Sequence, residues 1–445
     1  MEPMKRSTCF ASGLFPQIPE KEKTMQIFEQ LESEVRSYCR SFPAMFHTAR
    51  GWHLYDKDNV PYLDFFSGAG ALNYGHNPSL MKKRLMEYLE EDGVTHSLDM
   101  YTVAKERFLK QFQSVILKPR EMEYKIQFPG PTGTNAVESS LKLARKFTGR
   151  EKILFFTQAF HGMTLGSLSI SGNTFKRDGA GLSLTNTTCM PFEGYLGEDA
   201  DTMDYMDRML ESSGSGIDLP AAAIVETVQA EGGINVASAD WLLRLQGLCR
   251  KYGMLLILDD IQAGCGRTGT FFSFEEIGLD PDIICLSKSL SGYGLPFSIC
   301  LLRPSLDIWE PGEHNGTFRG HNLAFVTATE ALNYWKDDSL TRQIRSKEQI
   351  VNRCLHELKD NFPQDIAAIR GRGLIHGIVF THPGVGERVS REAFKNRLLV
   401  ETSGADSDVV KLLPPLVISE RDLEKGLQIL EESVAEVVGG NLVSR

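Results

Sequence analysis

The feature that most constrains this chain is a set of four short apolar runs set among helical stretches between residues 100 and 325. They are KILFF (152–156), AAAIVE (221–226), MLLILDD (254–260) and DIICLS (282–287). An uninterrupted apolar run of this length reads as a strand buried on both faces. Strands alternating with helices build a mostly parallel sheet, so the fold expected is α/β. In such sheets ligands bind beyond the carboxyl ends of the strands, and here polar residues gather at those ends. After about residue 330 helices dominate, with strands in LIHGIVF, RLLVET and VVKLLPPLVI, which implies a smaller α+β domain. The division expected is a flexible N-terminal extension over 1–24, an N-terminal segment of the small domain over 25–95, a large domain over 96–325, and the C-terminal small domain over 326–445. A charged amphipathic helix is expected over 25–41, a turn at Asp56–Asn59 and a helix from about Ser79 to Glu91.

The run DIICLS delivers Lys288 into a stretch of Ser, Gly and Leu, SKSLSGYGLPF. A lysine at a buried strand end is partly desolvated, which lowers its pKa and makes its amine a usable nucleophile. Asp259 closes the run MLLIL, where a carboxylate is costly unless it is paired. A protonated ring nitrogen is a fitting partner, with Asp260 turned the other way. Gln262, three residues on, is placed to donate to a ring hydroxyl. In GPTGTNAVE a glycine-rich turn runs into a helix whose buried face is Val137, Leu141 and Ala144. The backbone N–H groups of such a start, at Gly133 and Thr134 with the Thr134 hydroxyl, suit a phosphate. Phe160 follows KILFF by a few residues and offers a face for a flat ring, with His161 in support. Glu226 and Glu231 mark another strand terminus, where a carboxylate either pairs with a substrate-binding cation or faces water.

Composition excludes other classes. The net charge of -10 argues against a nucleic-acid binder, and no apolar run approaches the length of a membrane span. The N-terminus lacks the sustained apolar core of a secretory signal. The eight cysteines are scattered with no CxxC pair and no Cys/His metal spacing, so free thiols in a reducing cytoplasm are expected and no metal site. GCGRTG, residues 264–269, matches GxGxxG in form. Its continuation, TFFSFEE, is strand-like and opens no helix, so the dinucleotide reading fails in context.

An amine nucleophile, an acid for a ring nitrogen, an aromatic face and a helix-terminus phosphate cup together describe one cofactor, pyridoxal 5'-phosphate. With these residues in place, GPTGTNAVESSLKLAR, AFHG, ETVQAEGG, LILDDIQAGCGRTG, LSKSLSGYGLPF and NGTFRGHNLAF resemble the class III (ω-)aminotransferases of fold type I. The resemblance runs from about Met25 to the C-terminal helices. It implies that Lys288 carries the cofactor, Asp259 holds the ring nitrogen, Gln262 lies near the ring hydroxyl, Phe160 stacks on the ring, and Gly133 and Thr134 bind the phosphate. It also implies that Thr317 reaches the phosphate of the neighbouring subunit, hence a homodimer or dimer of dimers, and that Glu231 is a gate carboxylate swinging between two substrates. Within the family, ILKPR and ETSG add a likeness to the branch that moves an amino group from L-glutamate to L-aspartate 4-semialdehyde in ectoine biosynthesis, a branch for which potassium dependence is implied. Many family members carry an arginine before the final PPL strand, where this chain has Lys411, as that branch does. Lysine offers a carboxylate a point charge rather than a bidentate grip, so what clamps the glutamate carboxylates stays open. The alternatives are the same fold acting on ornithine, 4-aminobutyrate or diaminobutyrate for another product, and a non-catalytic regulator of the same fold.

Overall fold

The computed structural model describes residues 20–439. The chain divides at Met45/Phe46 into two units. In the first, the described part holds a helix at Glu20–Leu31 and a single turn at Tyr38–Ser41. The helix expected over 25–41 is therefore interrupted. Ser33 Oγ accepts from the Val35 N–H (3.4 Å) and the Arg36 guanidinium donates to the Ser33 carbonyl (3.0 Å), local bonds that compete with helix continuation. Of the extension expected over 1–24, residues 1–19 lie outside the described residues.

The second unit opens with three antiparallel strands, β1 (Phe46–Arg50), β2 (His53–Asp56) and β3 (Pro61–Asp64). Asp56 closes the turn by accepting from the N–H groups of Asp58 and Val60, both at 2.9 Å. A helix follows at Ser79–Glu90. The central sheet contains β4 (Lys125–Gln127), β5 (Ile153–Phe156), β6 (Thr187–Met190) and β7 (Ala222–Val225). A small hairpin, β8 (Val228–Gln229) and β9 (Asn235–Val236), precedes its remaining strands, β10 (Leu255–Asp259), β11 (Ile283–Leu286) and β12 (Ile299–Leu302). The order is β4-β12-β11-β10-β7-β5-β6. β11, β10, β7, β5 and β6 run parallel, and β12 is antiparallel to both of its neighbours.

The four apolar runs are β5, β7, β10 and β11, and every residue in them is buried. Alternation along β10 splits the core into two layers. Leu255 and Ile257 pack with Val137, Leu141 and Ala144 of the helix Gly133–Thr148, while Leu256 and Leu258 pack in the layer containing Phe108, Phe112 and Trp241. Each such side chain contributes roughly 1.5–3 kcal/mol by leaving water. That burial on both faces fixes the strand ends where the polar residues sit.

Five further strands close the unit: β13 (Ile366–Arg372), β14 (Ile375–Phe380), β15 (Leu398–Leu399), β16 (Glu401–Ser403) and β17 (Val409–Leu412). Four make an antiparallel sheet of order β13-β14-β17-β16, and β15 pairs in parallel with β3. Strands from both ends of the chain thus share one sheet, the α+β portion beside the parallel sheet. The stretch GCGRTG forms turns and opens no helix. Its arginine, Arg267, is fully buried and donates to the carbonyls of Leu374 (3.0 Å) and Pro414 (2.5 Å) and to Asn73 Oδ1 (2.5 Å). The motif therefore serves to cross-link distant segments.

Candidate active site

Four adjacent parallel strands, β11, β10, β7 and β5, send a chemically distinctive residue from their carboxyl ends toward one cavity of about 170 Å³. Lys288, Asp259, Glu226 and the pair Phe160 and His161 line it, together with Gly133, Thr134, Glu231 and Gln262. Larger hollows elsewhere on the surface hold no such set.

Lys288 follows β11 by two residues and starts a 3-10 turn, Lys288–Ser291. Its φ of 48° is left-handed, a conformation that costs a non-glycine residue about 1–3 kcal/mol and that clusters at functional sites. The Ser287 hydroxyl donates to the Phe297 carbonyl (2.8 Å), and Ser289 Oγ donates to the Gly70 carbonyl (2.7 Å), so the turn is clamped on both sides of the lysine. Burial depresses the Lys288 ammonium to about 8, with Glu231 opposing the shift and Lys411 adding to it.

Asp259 is buried at the last position of β10, in register with Cys285 of β11. His161 Nδ1 lies 2.7 Å from its Oδ2, and the Ile261 N–H donates to its Oδ1 (3.1 Å). Burial would depress the His161 imidazole, but the Asp259 hydrogen bond and charge hold it above its ordinary value. His161 Nε2 is buried without a hydrogen-bond partner, as is Gln262 Oε1. The Gln262 amide N–H₂ is already engaged, donating to the Ala69 carbonyl at 2.7 Å. The donor expected of Gln262 is therefore occupied, and its remaining capability is as an acceptor through the buried Oε1.

The cradle at the helix start is built by close approach. Gly162 has φ 127°, and a Cβ there would lie 2.6 Å from Thr134 Oγ1, so only glycine lets the AFHG loop lie on the helix Gly133–Thr148. Thr134 Oγ1 bonds to Thr164 Oγ1 (2.6 Å) and Ser167 Oγ (2.7 Å). Asn135 Oδ1 accepts from the Thr132 N–H (3.1 Å) and hydroxyl (2.8 Å), fixing the first turn. Phe160 is half-buried, and its backbone N–H donates to Glu226 Oε2 (3.1 Å). The Lys176 ammonium sits 4.0 Å from the Phe160 ring centroid. Burial pushes the Glu226 carboxyl up to about 8.

Glu231 sits in the loop between β8 and β9, where its carbonyl accepts from the Gly404 N–H (3.0 Å). Its carboxylate accepts from Lys411 Nζ at 2.5 Å. Burial raises the Glu231 pKa, but the Lys411 charge outweighs it and brings the group down to about 2. Lys411 lies on β17 with no exposure, and a second carboxylate, Glu401 Oε1, stands 2.9 Å from its Nζ. Thr317 does not line the cavity. It lies on an exposed segment, with its carbonyl 3.1 Å from His96 Nε2.

Glu401 and Lys176 are the charged groups that sequence reasoning passed over. Glu401 lies within the ETSG stretch noted above. An acid in a short strand between apolar runs is a signal, and its meaning depends on the β16–β17 register that sets it opposite Lys411. Nothing in the sequence brings Lys176 to Phe160.

A parallel sheet that converges a desolvated lysine and a histidine-braced acid on a helix-terminus cradle is a group-transfer enzyme's site. The class-III aminotransferase family model matches residues 36–434, and the chain belongs to that family. At finer grain it is similar to proteins named diaminobutyrate–2-oxoglutarate transaminase. One from Halalkalibacterium halodurans is 57% identical over 93% of this chain and 97% of its own length. One from Oceanobacillus iheyensis is 56% identical over 92% and 96%, and one from Marinococcus halophilus 52% over 95% and 100%. Among solved structures, the ornithine aminotransferase from Toxoplasma gondii has a TM-score of 0.83 at 25% identity, covering 95% of this chain and 97% of its own. A transaminase from the marine bacterium Virgibacillus shares the fold, with a TM-score of 0.83 at 18% identity.

Proposed function

We propose that this chain transfers the amino group of L-glutamate to L-aspartate 4-semialdehyde, giving L-2,4-diaminobutyrate and 2-oxoglutarate for ectoine biosynthesis, with pyridoxal 5'-phosphate as cofactor. The observation that carries the chemistry is the convergence of Lys288 and the His161-braced Asp259 on one small cavity. The substrate pair is supported by relatives of that name at 52–57% identity over nearly their whole length.

The residues fit the cofactor. The buried orphan Gln262 Oε1 can accept from a ring hydroxyl, and the Asp259 carboxylate can hold a protonated ring nitrogen. Gly133 and Thr134 would hold the phosphate, Phe160 would cover the ring, and Thr317 would come from a second copy of the chain. When bound, pyridoxal 5'-phosphate supplies an electron sink for the carbanion left when the substrate Cα–H bond breaks. Lys288 would hold the cofactor and would move the proton at the substrate carbon that bears the reacting amine. A pKa lowered to about 8 leaves a share of neutral amine near neutral pH for that task. Glu231 acts as the gate carboxylate and Lys411 as the cation for a substrate carboxylate.

A homodimer or dimer of dimers is supported by the exposed apolar residues Met100, Tyr101 and Val103, the last two beside a surface hollow of about 700 Å³. Among the described residues no helix is long and apolar enough to cross a membrane, which accords with a cytoplasmic enzyme.

The test adds L-2,4-diaminobutyrate, ornithine, 4-aminobutyrate and glutamate separately to the purified, cofactor-loaded protein. Diaminobutyrate and glutamate alone should shift the absorbance of the bound cofactor within one turnover. A fast response to ornithine or 4-aminobutyrate instead would overturn the substrate, and no response to any amine would overturn the activity.

A further inference from the structure

The short helix Thr174–Asp178 carries two adjacent basic residues that are held in opposite ways. The Arg177 guanidinium is committed to the backbone, donating to the carbonyls of Leu168 (3.2 Å), Ser169 (3.1 Å) and Ser171 (2.9 Å). Lys176 is fixed only at its base, where its backbone N–H donates to Asn173 Oδ1 (3.0 Å) at the start of the same helix. Among the described residues its ammonium makes neither an ion pair nor a hydrogen bond, and it rests 4.0 Å from the Phe160 ring centroid.

That position borders the candidate active site. Phe160 and Glu231 both line the cavity. Burial raises the Glu231 pKa, and the charges of Lys411, Lys288 and Lys176, in that order, lower it. The Lys176 field therefore reaches the cavity from the side of Phe160 and Glu231. A ring face is a weak seat for an exposed ammonium. It holds the tip without neutralising it, and the flexible stem of a lysine lets the tip move. The other lysines of the site are engaged, Lys288 in the chemistry proposed above and Lys411 with Glu231 and Glu401.

The substrates of that reaction, on which this inference rests, share one feature. Glutamate reacts at its α-carbon and carries its side-chain carboxylate three bonds away. L-2,4-diaminobutyrate and L-aspartate 4-semialdehyde react at their terminal carbon and carry their only carboxylate three bonds away, at the other end of the chain. Opposite ends of the two amino acids thus bring a carboxylate to the same distance from the reacting carbon. One cation can receive it in both half-reactions. The α-carboxylate of glutamate sits on the reacting carbon itself and needs a separate partner.

We propose that Lys176 binds the carboxylate three bonds from the reacting carbon in either substrate, and so is the shared anchor of the two half-reactions.

The test is Lys176→Met, which keeps an unbranched stem beside Phe160 and removes the charge, in the cofactor-loaded enzyme with each half-reaction followed by rapid mixing. The second-order rate constants for L-2,4-diaminobutyrate and for glutamate should both fall about tenfold, the loss expected of one charge-assisted hydrogen bond. That for 1,3-diaminopropane, which is diaminobutyrate with hydrogen in place of its carboxylate, should stay within about twofold of wild type, having no such bond to lose. Lys176→Arg should keep most of the rate for both amino acids. A readout apart from turnover is calorimetric binding of glutarate, a dicarboxylate without an amine. Its Kd should rise about tenfold in the methionine variant, and salt should weaken it more in wild type than in the variant. An equal fall for diaminobutyrate and 1,3-diaminopropane would show that Lys176 only supports Phe160 and would overturn the proposal. So would a fall confined to one amino acid, or an unchanged glutarate Kd, which decides the matter alone where 1,3-diaminopropane is too slow in wild type to compare. A wild-type protein inert to diaminobutyrate but responsive to another amine would instead overturn the substrate reading beneath it.

Discussion

Two buried charge clusters act on Lys288, and they are built on opposite plans. Around Asp259, one ionised acid meets one base, with the Glu226 carboxyl beside them kept toward its neutral form by burial. Its Oδ2 is tied to His161 Nδ1 and its Oδ1 to the Ile261 N–H, on the last residue of a strand inside a seven-stranded sheet. Around Lys411, one base meets two acids, and one of those acids stands on a short hairpin loop at the cavity wall. The first cluster sets its acid at the end of a buried strand and ties both carboxylate oxygens, an arrangement that would suit a bound ring. The second sets two acids on one cation: Lys411 holds Glu231 ionised, while burial pushes the Glu401 carboxyl up against the pull of the same lysine, an arrangement that would suit exchange between unlike substrates. Charge stoichiometry and backbone support, read together, separate a preorganised electrostatic site from a switching one.

The largest effect should come from breaking the fixed cluster. Asp259→Asn keeps the shape and a hydrogen-bonding group but removes the charge that would hold a protonated ring nitrogen. Turnover should drop by about 10³-fold, the scale seen when a preorganised electrostatic contact is lost. Some bound cofactor should remain, measured by absorbance after desalting. Near-normal turnover would mean that another acid holds the ring nitrogen, and the contrast between the clusters would collapse.

Breaking the switching cluster should act on binding and stability before chemistry. Lys411→Ala leaves Glu231 and Glu401 buried and facing each other without a cation. The loss of one partner from a buried ion cluster costs about 3–5 kcal/mol, to be read as a lowered midpoint in urea. In the folded fraction, KM for glutamate should rise more than KM for the aldehyde, because the α-amine of glutamate is its reacting group and only its carboxylates are left to meet the freed acids, whereas the aldehyde keeps a free α-ammonium. An unchanged KM for glutamate would move that contact away from Lys411 and leave the half-buried Lys176 beside Phe160 as the cation for both carboxylates.

The two clusters also differ in how far the sequence discloses them. Asp259 and Lys288 each end an unbroken apolar run, and such runs became strands whose every residue is buried. A polar residue at the end of a buried parallel strand has few places to go, so local sequence was enough. The short edge strands β4 and β6, KIQ and TTCM, carry no such pattern and were not anticipated. Glu401 and Lys411 lie ten residues apart on separate short strands, and their meeting depends on antiparallel register. A one-residue slip would have put the acid on the other face of the sheet. His161 was legible as a helper beside Phe160, yet its pairing with Asp259 joins residues 98 apart in the chain. Hydrogen-bond direction was illegible as well, since the Gln262 amide donor is taken by a carbonyl at position 69.

The smallest effect on turnover should come from Glu226, the acid of the fixed cluster that holds a backbone rather than a ring. Burial pushes its carboxyl from 4.5 up to about 8, so in the folded protein it stays protonated where the unfolded chain has already lost the proton. A raised folded pKa contributes stability that is complete below the unfolded value, near pH 4.5, and is lost as pH rises through about 8. Glu226→Gln removes that titration and keeps a side-chain oxygen to accept from the Phe160 N–H. The difference in Tm between wild type and variant should therefore favour wild type most at low pH and shift toward the variant as pH approaches 8. Turnover near pH 7 should change by no more than about threefold, because a neutral acid and its amide present the same charge to Asp259 and His161. A difference in Tm that does not vary with pH would show that Glu226 is ionised in the folded state, and the cluster would then hold a second free carboxylate. That result would erase the distinction between the two clusters, since both would then set two acids against one base.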